Sequence, residues 1–138
     1  MKKFRKSSGV ILKHNDEVLL CKRSEKKSMP GVWSIPSGGI EDGETPGQAA
    51  IREFYEETSI ELNTNLELVG IMDKFDKDKI KRGMVFVFLQ NIKEKKEPNL
   101  KRASDGHEHT ECKYFKLEDI PKQKSNHELI TILEKILK

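Results

Sequence analysis

Residues 28–43 form a glycine- and proline-rich stretch that leads directly into a strong helix start, and this junction constrains the fold more than any other feature. The loop character comes from Pro30, Gly31, Pro36, Gly38, Gly39 and Gly43. Thr45 is the expected N-cap, Pro46 the first helical residue and Gln48 the partner in a capping box. The pattern therefore predicts a helix over residues 46–57 that is entered from a long, tightly turning loop.

Apolar segments on both sides of this helix have the length and composition of β-strands. Strands are predicted at residues 8–12, 17–21, 66–75, 84–90 and 112–117. A second, amphipathic helix is predicted at residues 126–137, where one side carries Leu129, Ile130, Leu133, Ile136 and Leu137. Strands before and after a central helix indicate an α/β or α+β layered domain.

The length and composition fit one globular domain over residues 1–138. No apolar run approaches the roughly 20 residues that span a bilayer, and the N-terminus lacks the apolar stretch of a secretion signal. We therefore expect a cytoplasmic protein with no membrane partner, as a monomer or homodimer. The two cysteines, Cys21 and Cys112, are too few for a disulfide framework or a cysteine-rich zinc site and are interpreted as ordinary thiols.

Charge is distributed very unevenly along the chain. Residues 28–73 contain nine acidic residues and one basic residue, Arg52, for a net charge of −8, whereas the remainder carries +11. An acidic block inside a basic chain indicates carboxylates that meet external metal cations, and the basic remainder suits a phosphate-bearing ligand. The alternative is a chance cluster of acidic residues on a solvated face.

Three glutamates of the predicted helix, Glu53, Glu56 and Glu57, stand at positions i, i+3 and i+4. This spacing places them on one face, where they repel one another, and a pair between Arg52 and Glu56 neutralises only part of that charge. Clustered carboxylate oxygens suit Mg²⁺ or Mn²⁺, while a merely solvated acidic helix is the alternative. The opposite face is expected to pack on a sheet through Ala50, Ile51, Phe54 and Tyr55.

The loop and helix together resemble the signature of the Nudix hydrolases, which cleave nucleoside diphosphates linked to another moiety. That signature is a Gly, five residues, a Glu, seven residues and then Arg-Glu-U-x-Glu-Glu-x-Gly-U, where U is bulky and apolar. The chain matches every fixed position between Gly38 and Ile60 except one, because Ser59 stands where the family has glycine. The resemblance implies a single α/β domain, an α/β/α sandwich with a mixed central sheet, in which residues 38–60 form a loop–helix–loop box.

The resemblance also implies roles for individual residues. Glu53, Glu56 and Glu57 match the family's metal-binding and catalytic carboxylates. Glu44 and Arg52 match positions that brace the box and orient those carboxylates. Gly38 matches a structural position in the loop of the box. Further implied groups lie outside the helix: a metal-binding backbone carbonyl from Ser37 or Gly38, and a late-loop catalytic glutamate that is Glu108 or, alternatively, Glu111. The resemblance leaves open whether Glu53 or Glu108 is the base, and the flanking His107 and His109 are interpreted as solvated.

The implied reaction is Mg²⁺- or Mn²⁺-dependent cleavage of a pyrophosphate bridge in a small nucleotide, giving a nucleoside monophosphate and a second phosphorylated fragment. Arg23 and Phe75 are candidate substrate-binding residues. Trp33 and Tyr114 are further candidates for stacking on a base, with packing as their alternative role. Two other functions stay open: removal of pyrophosphate from an RNA 5′ end, and non-catalytic nucleotide sensing, against which the three intact glutamates argue.

Overall fold

The computed structural model describes residues 3–24, 31–100 and 109–138. Within these ranges the strands are β1 (Arg5–His14), β2 (Glu17–Arg23), β3 (Trp33–Ser34), β4 (Ser37–Gly39), β5 (Glu67–Phe75), β6 (Lys81–Ile92) and β7 (His109–Lys116). The helices are α1 (Pro46–Thr58) and α2 (His127–Leu137), and 3₁₀ turns lie at Leu117–Asp119 and Lys122–Lys124. Every predicted strand and helix is present, with ends within about three residues of the prediction. In the described ranges, no helix has the length and apolarity that a bilayer crossing requires.

The strands form one mixed sheet in the order β3-β2-β1-β6-β5, with β4 added beside β1 and β7 beside β2. β1 and β6 run parallel from the pair Arg5–Gly83 to the pair His14–Ile92. The other pairings are antiparallel. Parallel strands are usually covered on both faces, and the centre of β1 has no solvent exposure at Val10, Ile11 or Leu12.

Helices cover both faces of this sheet, which confirms the predicted sandwich. Val10 and Leu12 pack with Phe54 in a core under α1, whereas Ile11 packs with Leu133 in a core under α2. Successive residues of β1 therefore serve opposite cores, as the two-residue period of a strand requires. Complete burial of a side chain such as Phe54 stabilises the fold by about 1.5–3 kcal/mol.

The helix α1 begins as its sequence predicts. The Thr45 hydroxyl accepts the Gln48 backbone N–H at 3.1 Å, and the Gln48 side-chain oxygen accepts the Thr45 N–H at 2.9 Å. Phe54 is fully buried against the sheet, but Tyr55 is 48% exposed, so the prediction that Tyr55 packs on the sheet is wrong. Consecutive helical residues point about 100° apart, and Tyr55 is thereby turned away from the sheet.

The predicted loop at residues 28–43 is corrected by the structure, since it contains β3 and β4. β4 lies along β1 through the pairs Ser8–Gly38 and Gly9–Ser37. A Cβ on Gly9 would lie 2.8 Å from the Ser37 Cβ and 2.9 Å from the Pro36 carbonyl oxygen, so glycine permits this close approach. Strands of two or three residues carry no periodic pattern, and only pairing with β1 and β2 defines them.

The interpretation of the cysteines as ordinary thiols is also wrong in this structure, where Cys21 and Cys112 form a disulfide. The two residues face each other across the antiparallel pair β2–β7, with their Cα atoms 4.0 Å apart. They lie 91 positions apart in the chain, so the pairing of β2 with β7 is what brings them together.

Ser59 ends α1 in the left-handed conformation expected of the glycine it replaces, with φ 64° and ψ 17°. Its backbone N–H donates to the Tyr55 carbonyl at 2.8 Å. Its hydroxyl donates to the Asn99 carbonyl at 3.1 Å, a bond that glycine cannot make. The strain of a Cβ at positive φ is therefore opposed by a tether to the chain beyond β6.

We expect Ser59→Ala to be the least stable form at this position, because alanine keeps the strained Cβ and loses the hydrogen bond. Its free energy of unfolding should fall by about 0.5–1.5 kcal/mol. Ser59→Gly should stay within about 1 kcal/mol of wild type, because relief of strain offsets the lost bond. Urea unfolding of the three proteins tests this, and Ser59→Ala as stable as wild type would contradict it.

Candidate active site

Arg52 is the centre of the contacts within the box. Its Nε and Nη2 donate to the two carboxylate oxygens of Glu44, at 2.8 and 2.9 Å. Nη2 also donates to the Gly39 carbonyl at 2.9 Å. Nη1 donates to Glu53 at 2.9 Å and to Glu56 at 3.0 Å. One guanidinium thus ties the loop before α1 to two of the three glutamates, which supports the bracing role predicted for Arg52 and Glu44.

These contacts change the acidity of both partners. The bond from Arg52 and the backbone N–H of Glu41, at 2.9 Å, lower the pKa of Glu44 from 4.5 to about 2. The bonds to Glu44, and then to Glu56 and Glu53, raise the pKa of Arg52 above its ordinary value. The brace is therefore a pair of fully charged groups at neutral pH.

Glu53 lies against the glycine loop that precedes α1. A Cβ on Gly38 would overlap the Glu53 carboxyl group, so this position admits only glycine while Glu53 keeps its place. A Cβ on the neighbouring Gly39 would meet no atom within 4 Å. Ser37, Gly38 and Glu53 line the same cleft, so the structure brings these three predicted groups together.

Glu57 has a different environment from the other two carboxylates. Its side chain is 1% exposed, against 17% for Glu53 and 33% for Glu56. The Nδ1 atom of His109 lies 3.5 Å from Oε1 of Glu57, and the His109 side chain is 3% exposed. The interpretation of His109 as a solvated loop residue is therefore wrong, because it begins β7 and points at α1.

The donor atoms of the box suit a hard divalent cation, although they do not form a ready-made cage. Within the ranges that the structure describes, no three His, Cys, Asp or Glu side chains are grouped to hold a metal ion. Arg52 binds Glu53 and Glu56, and His109 contacts Glu57. All three side chains offer carboxylate oxygens, the donors Mg²⁺ and Mn²⁺ prefer, and Gly38, which has no Cβ, leaves room for the Glu53 carboxyl group. The residues fit the ion in chemistry, and the metal site remains a prediction.

The candidates for the late-loop glutamate have different outcomes. Glu108, the preferred candidate, lies outside the described residues, as does His107. Glu111 is part of β7, where its half-exposed side chain lies 3.7 Å from the ammonium group of Lys113. The choice of base between Glu53 and Glu108 therefore stays open.

An open cleft of about 1140 Å³ lies beside Glu53 and is bordered by β1, β4 and the β5–β6 hairpin. Its basic residues are Lys3, Arg5, Lys6, Arg23, Lys74 and Arg82. Its acidic residues are Asp42, Glu53 and Asp76. Arg82 binds Asp76 at 2.8 Å and lowers the pKa of Asp76 to about 2. Bases outnumber acids in this cleft, which favours an anionic ligand beside the carboxylates.

A smaller cavity of about 480 Å³ adjoins the cleft on the α2 side of the sheet. Arg23 and Phe75, the predicted substrate-binding residues, line both spaces, and Phe75 is 58% exposed. The other aromatic candidates serve packing. Trp33 meets Phe115 edge to face, with ring centroids 5.0 Å apart, and the Tyr114 hydroxyl donates to a backbone carbonyl at 2.6 Å.

Gly38→Ala should displace the Glu53 carboxylate without unfolding the protein, because the added Cβ meets the end of a flexible side chain. We expect turnover to fall at least about tenfold, since misplacing a reacting group is costly for catalysis. Gly39→Ala is the matched control and should keep near wild-type turnover. Equal activity of the two variants in a phosphate-release assay would contradict the placement of Glu53.

Glu44→Gln should reduce stability at neutral pH, because it removes the charged partner of Arg52. The folded-state pKa of about 2 is below the ordinary 4.5, so this stabilisation is complete above about pH 5 and is lost as the pH falls towards 2. Urea unfolding between about pH 7 and pH 3 should show the gap between variant and wild type narrowing. Glu61→Gln, at an exposed glutamate, is the control, and a gap that stays constant with pH would refute the assignment.

Comparison with known proteins agrees with the fold and the box. The NUDIX domain model matches residues 3–135. Nudix hydrolase 25 of Arabidopsis thaliana is 31% identical over 139 residues, covering 87% of this chain and 77% of that protein. An RNA pyrophosphohydrolase of Agrobacterium fabrum is 54% identical over 43 residues, which are 31% of this chain and 25% of that protein.

The structure is similar to that of a MutT NUDIX hydrolase from Burkholderia pseudomallei, with a TM-score of 0.80 and 26% identity. That alignment covers 96% of this chain and 97% of the other. The family match across almost the whole chain, the sandwich and the braced glutamates lead to one conclusion: this chain belongs to the Nudix family and is a hydrolase of phosphorus-containing acid anhydrides.

Proposed function

We propose that this enzyme uses a divalent cation, Mg²⁺ or Mn²⁺, to hydrolyse a diphosphate linkage in a small nucleotide, releasing a nucleoside monophosphate and a phosphorylated fragment. The observation that carries the proposal is the position of Glu53, braced by Arg52 against Gly38, at the side of a basic cleft. Carboxylates supply the binding groups for cations, and the basic walls supply those for phosphates.

Glu53, Glu56 and Glu57, with a carbonyl from Ser37 or Gly38, would hold the cation. Bound there, a divalent ion would neutralise phosphate charge and lower the pKa of an attacking water. Proton removal from that water falls to Glu53 or Glu108.

Arg52 has a supporting role in this scheme. Its five N–H donors are engaged by Glu44, Gly39, Glu53 and Glu56, so it holds carboxylates and does not bind substrate. The phosphates are instead met by bases on the cleft walls, among them Arg23 and Lys74.

We assign the nucleoside to the 480 Å³ cavity, because it shares lining residues with the cleft and has both aromatic and polar walls. Phe75 offers an exposed ring at the junction of the two spaces. Asn126, His127 and Glu128 bring polar groups from the start of α2. A ring for stacking with nearby hydrogen-bonding groups is a suitable site for a nucleobase.

A second candidate substrate is the triphosphorylated 5′ end of RNA. The segment Lys3 to Lys6 lines the cleft, and within it Phe4 is 50% exposed. Lys74 and Phe75 line the same cleft. The structure thus brings together basic and aromatic residues that are about 70 positions apart in the sequence, a combination typical of single-stranded nucleic acid binding. The printed activity of the Agrobacterium fabrum relative agrees with this candidate.

A phosphate-release assay over a substrate panel tests the proposal. The panel contains nucleoside triphosphates, ADP-ribose, dinucleoside polyphosphates and 5′-triphosphorylated RNA, each with Mg²⁺ and with Mn²⁺. We expect metal-dependent release of a nucleoside monophosphate from at least one small nucleotide. Preference for RNA would select the second candidate, and no hydrolysis in the panel would favour a nucleotide-sensing module.

Glu57→Gln should lower turnover of the best substrate by on the order of 100-fold or more, because the amide preserves shape and removes the charge that binds the cation. Glu61→Gln, a loop glutamate beyond α1, is the matched control and should retain activity. Circular dichroism spectra of both variants are the check that they are folded. Near wild-type turnover by folded Glu57→Gln would refute the predicted metal site.

A further inference from the structure

The three glutamates of α1 are held from two different directions. Arg52, on the same helix, contacts Glu53 and Glu56. Glu57 is contacted by His109, with 3.5 Å between Nδ1 and Oε1. The side chains of Glu57 and His109 are 1% and 3% exposed, so this contact is removed from bulk water.

The position of Glu57 makes such a contact necessary. A carboxylate buried in a protein needs compensating hydrogen bonds or charge, since desolvation disfavours its charged form. Glu57 also lies in the last turn of α1, where the helix dipole is negative and no basic residue is present. One contact to Glu57 comes from another element, since β7 supplies the imidazole of His109.

The pairing of β7 with β2 determines where His109 lies. The two strands are in regular register from Glu17–Lys116 to Lys22–Glu111, and the register shifts before the pair Arg23–His109. A bulge of this kind turns a side chain to a new direction and is common beside active sites. Here it accompanies an arginine that lines the cleft and a histidine that contacts Glu57.

We propose that His109 is a positioning residue for the metal site, whose Nδ1–H orients the Glu57 carboxylate so that it can bind the divalent cation. The inference rests on the proposed function, since it requires Glu57 to be a metal ligand. Groups that contact and orient the ligands of a metal typically contribute 10–100-fold to metal affinity or activity. The role needs only an N–H at Nδ1, which both neutral and charged imidazole can carry.

Three substitutions separate this role from simple packing. His109→Asn keeps an N–H donor near the place of Nδ1, whereas His109→Gln moves its donor to the place of Nε2. His109→Leu introduces an apolar side chain of similar length that has no hydrogen-bond donor. Phe115→Leu, in the core on the same strand, is the control for general destabilisation of β7.

Mn²⁺ binding to each protein without substrate, followed by electron paramagnetic resonance, is the first measurement. The Mg²⁺ concentration for half-maximal hydrolysis is the second. We expect His109→Leu and His109→Gln to weaken Mn²⁺ binding about 10–100-fold and to raise the Mg²⁺ requirement similarly. His109→Asn should recover most of the affinity, and Phe115→Leu should leave it unchanged.

The possible failures are distinguishable. If wild-type protein binds Mn²⁺ and hydrolyses nucleotides while folded His109→Leu binds Mn²⁺ equally well, the role of His109 is refuted and the proposed function stands. If His109→Leu does not fold, equal affinities of the Asn and Gln variants refute the role. If wild-type protein neither binds Mn²⁺ nor hydrolyses any substrate, both proposals fall.

Discussion

The guanidinium of Arg52 is the interaction on which the arrangement of the box depends. It joins Glu44 and the Gly39 carbonyl, both in the loop before α1, to Glu53 and Glu56 on the helix itself. Without this cation, the acidic loop and the acidic helix would repel each other. Planar geometry matters as much as charge, because the bidentate pair with Glu44 leaves Nη1 directed at the glutamates of the helix.

The position of the box relative to the sheet comes from β1. One edge of this strand pairs with β6, and the other is shared between β2 and β4. β4 carries Ser37 and Gly38, so the glycine loop is anchored to the most buried strand of the sheet. This approach requires glycine at position 9, whereas the Glu53 carboxyl group requires glycine at position 38. The glycine loop that lies against Glu53 is therefore fixed to the sheet through β4.

The antiparallel pairing of β2 with β7 positions residues on the opposite side of the site. The disulfide of Cys21 with Cys112 joins these strands two residues before Arg23 and three residues after His109. Beyond that covalent link the register shifts at the pair Arg23–His109, where Arg23 lines the cleft and His109 contacts Glu57. The roles that we propose for Arg23 and His109, in binding substrate and in orienting Glu57, would therefore have a common structural origin in one irregularity of the sheet.

The sequence alone determined the elements whose causes are local. The capping box of Thr45 and Gln48, the extent of α1, the longer strands and the spacing of the glutamates depend on residues within one or two turns or on simple periodicity. The sequence also placed Ser59 at the family's glycine position, and the structure shows that this residue is left-handed. Only the tertiary structure decided the short strands β3 and β4, the pairing of Cys21 with Cys112, and the burial of His109. Each of these arises from contacts between segments that are far apart in the chain. The free energy that decides them comes from pairing and burying one segment against another, so no short stretch of sequence is sufficient to predict them.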